Sequence, residues 1–399
     1  MNGPFEAIVL AGGEGSRLRP LTKYRPKPML PVANRPIIEY VLDALVAVGV
    51  DRVVVVIGHR GDRIRDHLTD SYRDIELAFV TQKNQLGSGH ALQQAAGLVD
   101  DPFIVVNGDN VLDADLVRAT VARFTTGDGA AAAAVAESAT PQEYGAVLTD
   151  NGHIRAVIEN PSDAVSYRIN AGVYVCTDDI FDALDRADTR AGELYITDAL
   201  VDLPGDVLVA ETDGTWLDPS YPWDLLSVTE SLLLARPDLV GEAGSFDDGV
   251  FVADSANVHE TATVEAPAVV GPDCEVDAGA VVRRATCLGP NTHVGPNTVV
   301  ERSILGPDTT VGGTALLRDT LVGAGATIGD GTVAAGGPAD VVISDRLHRN
   351  RRLGGVVGDR ATIGANVTLE SGVRVAPTTS VPAGSTATGR LEDGAEVMH

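Results

Sequence analysis

Apolar and polar positions follow two rhythms along this chain, and the change falls near residue 244. Before it, short β-type runs (Ala7–Leu10, Val53–Ile57, Leu77–Val80, Phe103–Val106 and Val173–Cys176) alternate with stretches at helical spacing. Pro36–Val48 is one such stretch, with Ile37, Tyr40, Val41, Ala44, Leu45 and Val48 on one face. This alternation predicts an α/β domain, a mostly parallel sheet covered by helices on both faces. Trp223 to Ala235 reads as a short amphipathic helix, and Pro237 soon afterwards breaks it.

Past the change, aliphatic residues return every sixth position: Val252, Val258, Val264, Val270, Val276, Val282, Leu288, Val294 and Val300. After a phase slip the register resumes through Leu305, Val311 and Leu317, and later through Val357, Ile363, Leu369, Val375 and Val381. Turn residues fall between them, as in Gly289-Pro290-Asn291 and Gly364-Ala365-Asn366. A six-residue period predicts a left-handed parallel β-helix, three hexads to a coil, with the aliphatic residues stacked inside. Pro338 to Gly355 interrupts the period and carries Arg346, His348, Arg349, Arg351 and Arg352, so it is expected to leave the helix as an insertion or long loop. The expected organisation is a first domain over 1–236, a linker over 237–250 and a β-helix over 251–399.

Charge narrows the partners. The 56 acidic and 30 basic residues give a net charge of −26, a surface that repels nucleic acid and anionic membranes. It resembles the acidic surfaces of proteins from salt-loving microbes, which stay soluble where salt screens self-repulsion. Lysine occurs only at positions 23, 27 and 83, all early in the chain. Cys176, Cys274 and Cys287 lack metal-ligand spacing and are expected as buried apolar fillers. No apolar run has transmembrane length and no signal core precedes the first strand, so a cytoplasmic location is expected.

Candidate chemistry begins where the first strand ends. Leu10-Ala11-Gly12-Gly13-Glu14-Gly15-Ser16-Arg17-Leu18 puts three glycines after a strand, where backbone N–H groups can approach a phosphate without Cβ interference. Arg17 and Lys27, the latter in Arg25-Pro26-Lys27-Pro28-Met29, bring positive charge to the same stretch. Asp109, in Asn107-Gly108-Asp109, follows another strand, and open sheets bind ligands at the carboxyl ends of their strands. The loop is not the dinucleotide fingerprint, because prolines follow where a helix should run.

The combination of Gly-Gly-x-Gly-Ser-Arg-Leu and Pro-Lys-Pro resembles the signature of the sugar-1-phosphate nucleotidylyltransferase family, in its archaeal bifunctional form with a fused β-helix. The resemblance implies a Rossmann-like first domain, in which Arg17 holds the triphosphate and Lys27 bridges the reacting phosphates. It also implies Mg²⁺ held by Asp109 and by Asp218 in Trp216-Leu217-Asp218, since two polyanions approach closely only with a cation between them. Nucleotide contacts would come from Gly12, Gly13 and Gly15, with Gln82, Gly87 and Ser88 (in Gln85-Leu86-Gly87-Ser88-Gly89-His90) at the base, uracil first and thymine second. His90 is expected to be structural. Sugar contacts would come from Gly145, Glu159 and Asn170. A guanylyltransferase is the alternative within the class, and a non-catalytic sensor or scaffold the alternative outside it.

For the second domain the resemblance implies assembly, expected as a trimer, and raises sugar-phosphate acetyl transfer with acetyl-CoA as a further partner. Against that transfer, the family's Pro-His-x-x-Tyr-Val-Gly base segment aligns with residues 311–323, which contain neither histidine nor tyrosine. His293 and His348 are the possible substitutes.

Overall fold

The computed structural model describes residues 5–138, 140, 141, 144–159, 166–190, 192–211, 213–235 and 244–392; of Glu159 only the backbone is described. By their contacts these residues form two compact units. The first comprises Met1–Glu14, Arg25–Met29 and Ile37–Asp218, and the second Gly15–Tyr24, Leu30–Pro36 and Pro219–His399.

The first unit is built on a ten-stranded sheet. Strand Ala7–Ala11 lies at its middle, parallel to Arg52–Ile57 on one side and Phe103–Asn107 on the other, with Ile75–Thr81 parallel beyond Arg52–Ile57. Ala7–Ala11, Val53–Ile57 and Phe103–Val106 are apolar and buried because both faces are covered, whereas Ile75–Thr81 exposes Glu76 and Thr81. Alternate residues divide between two cores: Ile8, Leu10, Val54, Val56 and Val105 point to one, and Ala7, Val9, Val53, Val55, Ile104 and Val106 to the other. Helix Ile37–Ala47 supplies Ile38, Val41, Leu42 and Leu45 to the second of these, as its helical spacing predicts. The parallel run does not extend across the whole sheet. Strand Arg168–Cys176 runs antiparallel to Phe103–Asn107 and to Ala131–Glu137, and Gly145–Asp150 pairs antiparallel with His153–Glu159 across a tight turn. Of these pairs only Gly145–Asp150 with His153–Glu159 is a hairpin, and Val207–Glu211 returns to a parallel pairing with Ala131–Glu137.

The second unit contains the β-helix, as three sheets: two have seven parallel strands, and one has nine, parallel except where Gly244–Asp247 pairs antiparallel with Val250–Ala253. One sheet stacks Val258, Val276, Val294, Val311, Ile328, Ile363 and Val381 on one another, all but Val258 buried. The phase slip has a structural cause. The corner between Val300 and Leu305 is one residue short, with Arg302 in the left-handed region (φ 47°), and the next coil repeats this at Asp319 (φ 52°). Arg302 and Asp319 are both buried and bond each other at 2.9 Å, while Arg302 Nε donates to Glu230 (2.9 Å) on helix Pro222–Ala235. That ion pair and the Asn34 Nδ2 bond to Leu288 O (2.6 Å) fasten the helix and the segment around Asn34 to the coils.

The interruption at 338–355 is a β-hairpin, with Pro338–Ile343 antiparallel to Arg346–Arg352. Ser344 and Asp345, both left-handed (φ 49° and 60°), form the two-residue turn whose twist suits such a ribbon. All three cysteines are buried and free. Burial pushes the Cys176 and Cys287 thiols up to about 12, so they remain inert apolar fillers. Among the described residues no helix is long and apolar enough to cross a membrane.

Candidate active site

Three residues that lie far apart in sequence meet at one point of the first unit. Lys27 opens a short 3-10 turn, Lys27–Met29, and its side chain is 8% exposed. Its Nζ donates to Asp218 Oδ1 at 2.7 Å and lies 2.9 Å from Asp109 Oδ2. A two-stranded ladder brings the aspartates together: Val111 pairs with Leu217 and Leu112 with Trp216, so the residues just outside the ladder converge. The Asp113 carboxylate closes its far end by accepting from Thr215 N (2.7 Å) while capping helix Ala114–Thr126. Burial works against the Lys27 charge, but the adjacent Asp109 and Asp218 carboxylates more than offset it, and its pKa stands above the ordinary lysine range. Lys27 is therefore a fixed cation, not a proton acceptor. Asp218 is buried (8%) whereas Asp109 is 38% exposed, so one face of the triad opens outward.

The glycine loop is pressed on one side and open on the other. A Cβ on Gly12 would come within 2.6 Å of Gln82 Oε1, while one on Gly13 would meet nothing within 4 Å, leaving that backbone free to approach a ligand. Gln82 is buried and fixed: its Nε2 donates to Gly87 O (3.1 Å) and faces His90 Nδ1 (3.0 Å), turning Oε1 toward Gly12. His90 therefore helps to hold the Gln82 amide in place. Gly87 (φ 96°) is required where it stands, because a Cβ would sit 2.3 Å from Leu194 O. The Ser88 hydroxyl accepts from Ile196 N (3.1 Å) at the start of helix Ile196–Leu200.

The three sugar-site candidates fall in one row across adjacent strands. Gly145 pairs with Glu159, and Ala146 with Ile169, one step from Asn170. Asn170 touches the Tyr174 hydroxyl through both ends of its amide (2.6 and 2.9 Å), and its Oδ1 accepts from Gly172 N (3.1 Å). The Glu159 side chain lies outside the described residues. Sequence reasoning did not single out Trp216, which donates from Nε1 to Ala171 O (2.9 Å) and packs edge-on against Tyr144 at 5.5 Å. Its place directly before Leu217-Asp218 is the signal that could have found it.

Arg17 and Gly15 belong to the second unit. Gly15 (φ 63°) turns the chain into the 3-10 turn Ser16–Leu18, and Thr22 Oγ1 donates back to Gly15 O at 2.8 Å. The Arg17 guanidinium lies over the Tyr221 ring at 5.6 Å, and Tyr221 stacks on Trp223 at 4.8 Å. His348 of the hairpin packs against both rings, with centroids at 4.6 and 5.1 Å.

Residues 6–233 match the nucleotidyl transferase family, and residues 246–345 match the GMPPB C-terminal domain. A low-salt glycan biosynthesis nucleotidyltransferase of Haloferax volcanii is 33% identical over 305 residues, 74% of this chain and 85% of that protein. The bifunctional protein GlmU of Methanocaldococcus jannaschii is 30% identical over 388 residues, 93% of this chain and 92% of its own length. A UTP–glucose-1-phosphate uridylyltransferase of H. volcanii is 35% identical over 228 residues, 55% of this chain and 93% of that protein. Among solved structures, a putative glucose-1-phosphate thymidylyltransferase from Bacillus anthracis superposes with a TM-score of 0.54 at 26% identity, over 60% of this chain and 98% of its own. With its glycine loop, its Lys27 triad and a fused parallel β-helix, the chain belongs to the nucleotidyl transferase family, as a sugar-1-phosphate nucleotidylyltransferase of the archaeal GlmU-like type.

Proposed function

We propose that the chain transfers a pyrimidine nucleotidyl group, from UTP in the first place and dTTP in the second, to a sugar-1-phosphate. The observation that carries the reading is the buried Lys27 cation between two aspartates, one of them half-open. An oxygen of the sugar phosphate attacks the α-phosphorus of the nucleotide, the new O–P bond forms as the bond to the β-phosphate bridge breaks, and pyrophosphate leaves. The substrate supplies the nucleophile, so the protein's task is to hold two anions in line and offset their charge. Lys27, held protonated by its carboxylates, faces the reacting phosphates, the open backbone at Gly13 accommodates the nucleotide, and Arg17 grips the triphosphate.

The donor set suits Mg²⁺. No group of three or more His, Cys, Asp or Glu among the described residues could hold a metal alone, whereas Asp109 and Asp218 offer two carboxylates at one point. Magnesium takes one or two carboxylates and completes its shell with substrate phosphate and water. When bound, it would neutralise the phosphate oxygens so that the two anions can meet.

Gln82, clamped by Gly87 and His90, supports the base end, and the name of the 35% identical uridylyltransferase favours uracil. Gly145, Glu159 and Asn170 are assigned to the sugar hydroxyls. The β-helix serves assembly, as a trimer. Residues 311–323 line its coils with Val311, Leu317 and Val322 turned inward and present no histidine there; of the two possible substitutes His348 is buried, and His293 Nε2 lies 3.0 Å from Asp277 Oδ2. We therefore read acetyl transfer as weak or lost.

Initial rates of pyrophosphate release over a grid of four nucleoside triphosphates and several sugar-1-phosphates test the substrate assignment. The reading expects UTP or dTTP to dominate; preference for GTP would replace it with a guanylyltransferase, and release of free thiol from acetyl-CoA with an amino-sugar phosphate would restore the acetyl transfer.

A further inference from the structure

The hairpin that interrupts the coils lies back on the second unit with one face down. Along Pro338–Ile343 every second residue, Ala339, Val341 and Ile343, is buried. Ala339 and Val341 press on the coil at Gly372, where a Cβ would come within 3.0 Å of both side chains. Of Arg346–Arg352 only His348 is buried, opposite Val341 and 3% exposed. Its Nε2 has no hydrogen-bond partner, and burial together with the cations Arg346, Arg351 and Arg17 pulls its pKa below the usual histidine value. The ring is therefore neutral near pH 7, and what it contributes is packing.

That packing has a direction. His348 meets the Tyr221 and Trp223 rings, and the Arg351 guanidinium stands over Trp223 at 5.3 Å. At the base of the hairpin, Arg352 Nε (3.0 Å) and Gly337 N (3.1 Å) both donate to the Asp319 carboxylate. Arg302 carries the tie onward, from Asp319 to Ser227 (3.1 Å) and Glu230 (2.9 Å) of helix Pro222–Ala235. The hairpin thus grips that helix at its start, through the rings, and at its middle, through the ion pairs. Tyr221, the residue before the helix, is the ring on which the Arg17 guanidinium rests. Arg52, Arg283, Arg302 and Arg352 each meet a carboxylate, as expected in a chain of 56 acidic and 30 basic residues. Arg17 forms no ion pair among the described residues. A cation seated on a ring and left without a carboxylate keeps its charge for an outside anion while its direction is fixed.

We infer that His348 is a positioning residue for the transfer reaction: through Tyr221 it seats the Arg17 guanidinium for the phosphates of the nucleotide, so that an insertion in the β-helix sets nucleotide affinity. The inference rests on the triphosphate role proposed for Arg17. Its physical basis is preorganisation, because a long arginine side chain already held on a ring gives up less freedom when it binds.

A double-mutant cycle on the full chain tests this, with the dissociation constant of the nucleotide as the readout. Of UTP, dTTP, GTP and ATP, the one that the wild type binds most tightly with Mg²⁺ in high potassium chloride is titrated by calorimetry into wild type, Arg17→Ala, His348→Ala and the double variant. His348→Ala should weaken binding about fivefold on its own and should add nothing once Arg17 is alanine. His348→Phe, which keeps a ring and loses no bond at Nε2, should bind within about twofold of wild type. His348→Gln, which keeps bulk and removes the ring, runs the same cycle should the alanine variant not fold. A general loosening costs the same factor in both backgrounds, so equal losses would overturn the inference, as would wild-type affinity in the variants that lack the ring. Absence of nucleotide binding by the wild type would overturn the triphosphate role of Arg17 and this inference with it. The expected coupling without transfer to any sugar phosphate would overturn the proposed reaction and leave the positioning role standing.

Discussion

Replacing Lys27 by methionine removes one ammonium and leaves two carboxylates facing each other. Removing one partner of a fully buried ion pair costs about 3–5 kcal/mol. Here Asp218 stays buried, but Asp109 is 38% exposed and is resolvated, so the expected loss is nearer 2–3 kcal/mol. The pH dependence follows from the direction of the Lys27 shift. Its pKa in the folded chain stands above the ordinary value of 10.5, so its contribution is complete below 10.5 and is lost only as pH rises through the folded value. The stability difference between wild type and variant should then be flat from about pH 7 to about pH 9. Mg²⁺ supplies a second test, because it competes with the ammonium for the same oxygens. At 100 times its dissociation constant a ligand stabilises by about 2.7 kcal/mol, so added Mg²⁺ should recover most of the loss in Lys27→Met and raise the wild type less. Denaturant unfolding in a Trp223→Phe background, with Trp216 reporting from the strand beside Asp218, measures both. A variant as stable as wild type, or a larger Mg²⁺ response in wild type, would refute the triad as the cation site.

Gly12→Ala pushes a Cβ to 2.6 Å from Gln82 Oε1, so the chain should fold while Gln82 gives up its bonds to Gly87 and His90; the KM for nucleotide should rise about tenfold and unfolding free energy should fall by about 1–3 kcal/mol. Arg302→Met strips a buried partner from Asp319 and Glu230; because Arg352 still bonds Asp319 at 3.0 Å, calorimetry should show a loss of about 2–4 kcal/mol confined to the second unit's transition. His348 has a pKa lowered by burial and by Arg346, Arg351 and Arg17, so its protonation opposes folding as pH falls below the ordinary 6.5. His348→Phe also removes an Nε2 atom that lacks a hydrogen-bond partner, and its stability relative to wild type should grow from about pH 7 to about pH 5; a constant difference would contradict this.

Patterned features were readable from sequence and juxtapositions were not. Period-six aliphatics can only be satisfied by stacking, so the coils could be read directly, and the five named strands and the helix after Pro36 lie where alternation put them. The antiparallel pairings of Arg168–Cys176 were hidden because a buried strand is apolar whichever way its neighbour runs. Lys27, Asp109 and Asp218 were each recognisable by motif. That one ammonium joins both carboxylates depends on the ladder Val111–Leu112 with Trp216–Leu217, two residues long and without a periodic signature. Likewise, the basic stretch at 346–352 read only as a charge run, and folding alone reveals that His348 turns inward onto Tyr221 and Trp223.

The most direct test of the central claim follows the α-phosphorus. UTP or dTTP labelled there is incubated with enzyme, Mg²⁺ and glucose 1-phosphate, and the products are separated. The account predicts that the label moves into a nucleoside diphosphate sugar while unlabelled pyrophosphate accumulates in equal amount, and that Asp109→Ala abolishes both. Label appearing in free nucleoside mono- or diphosphate, or product formation undiminished in Asp109→Ala, would contradict it.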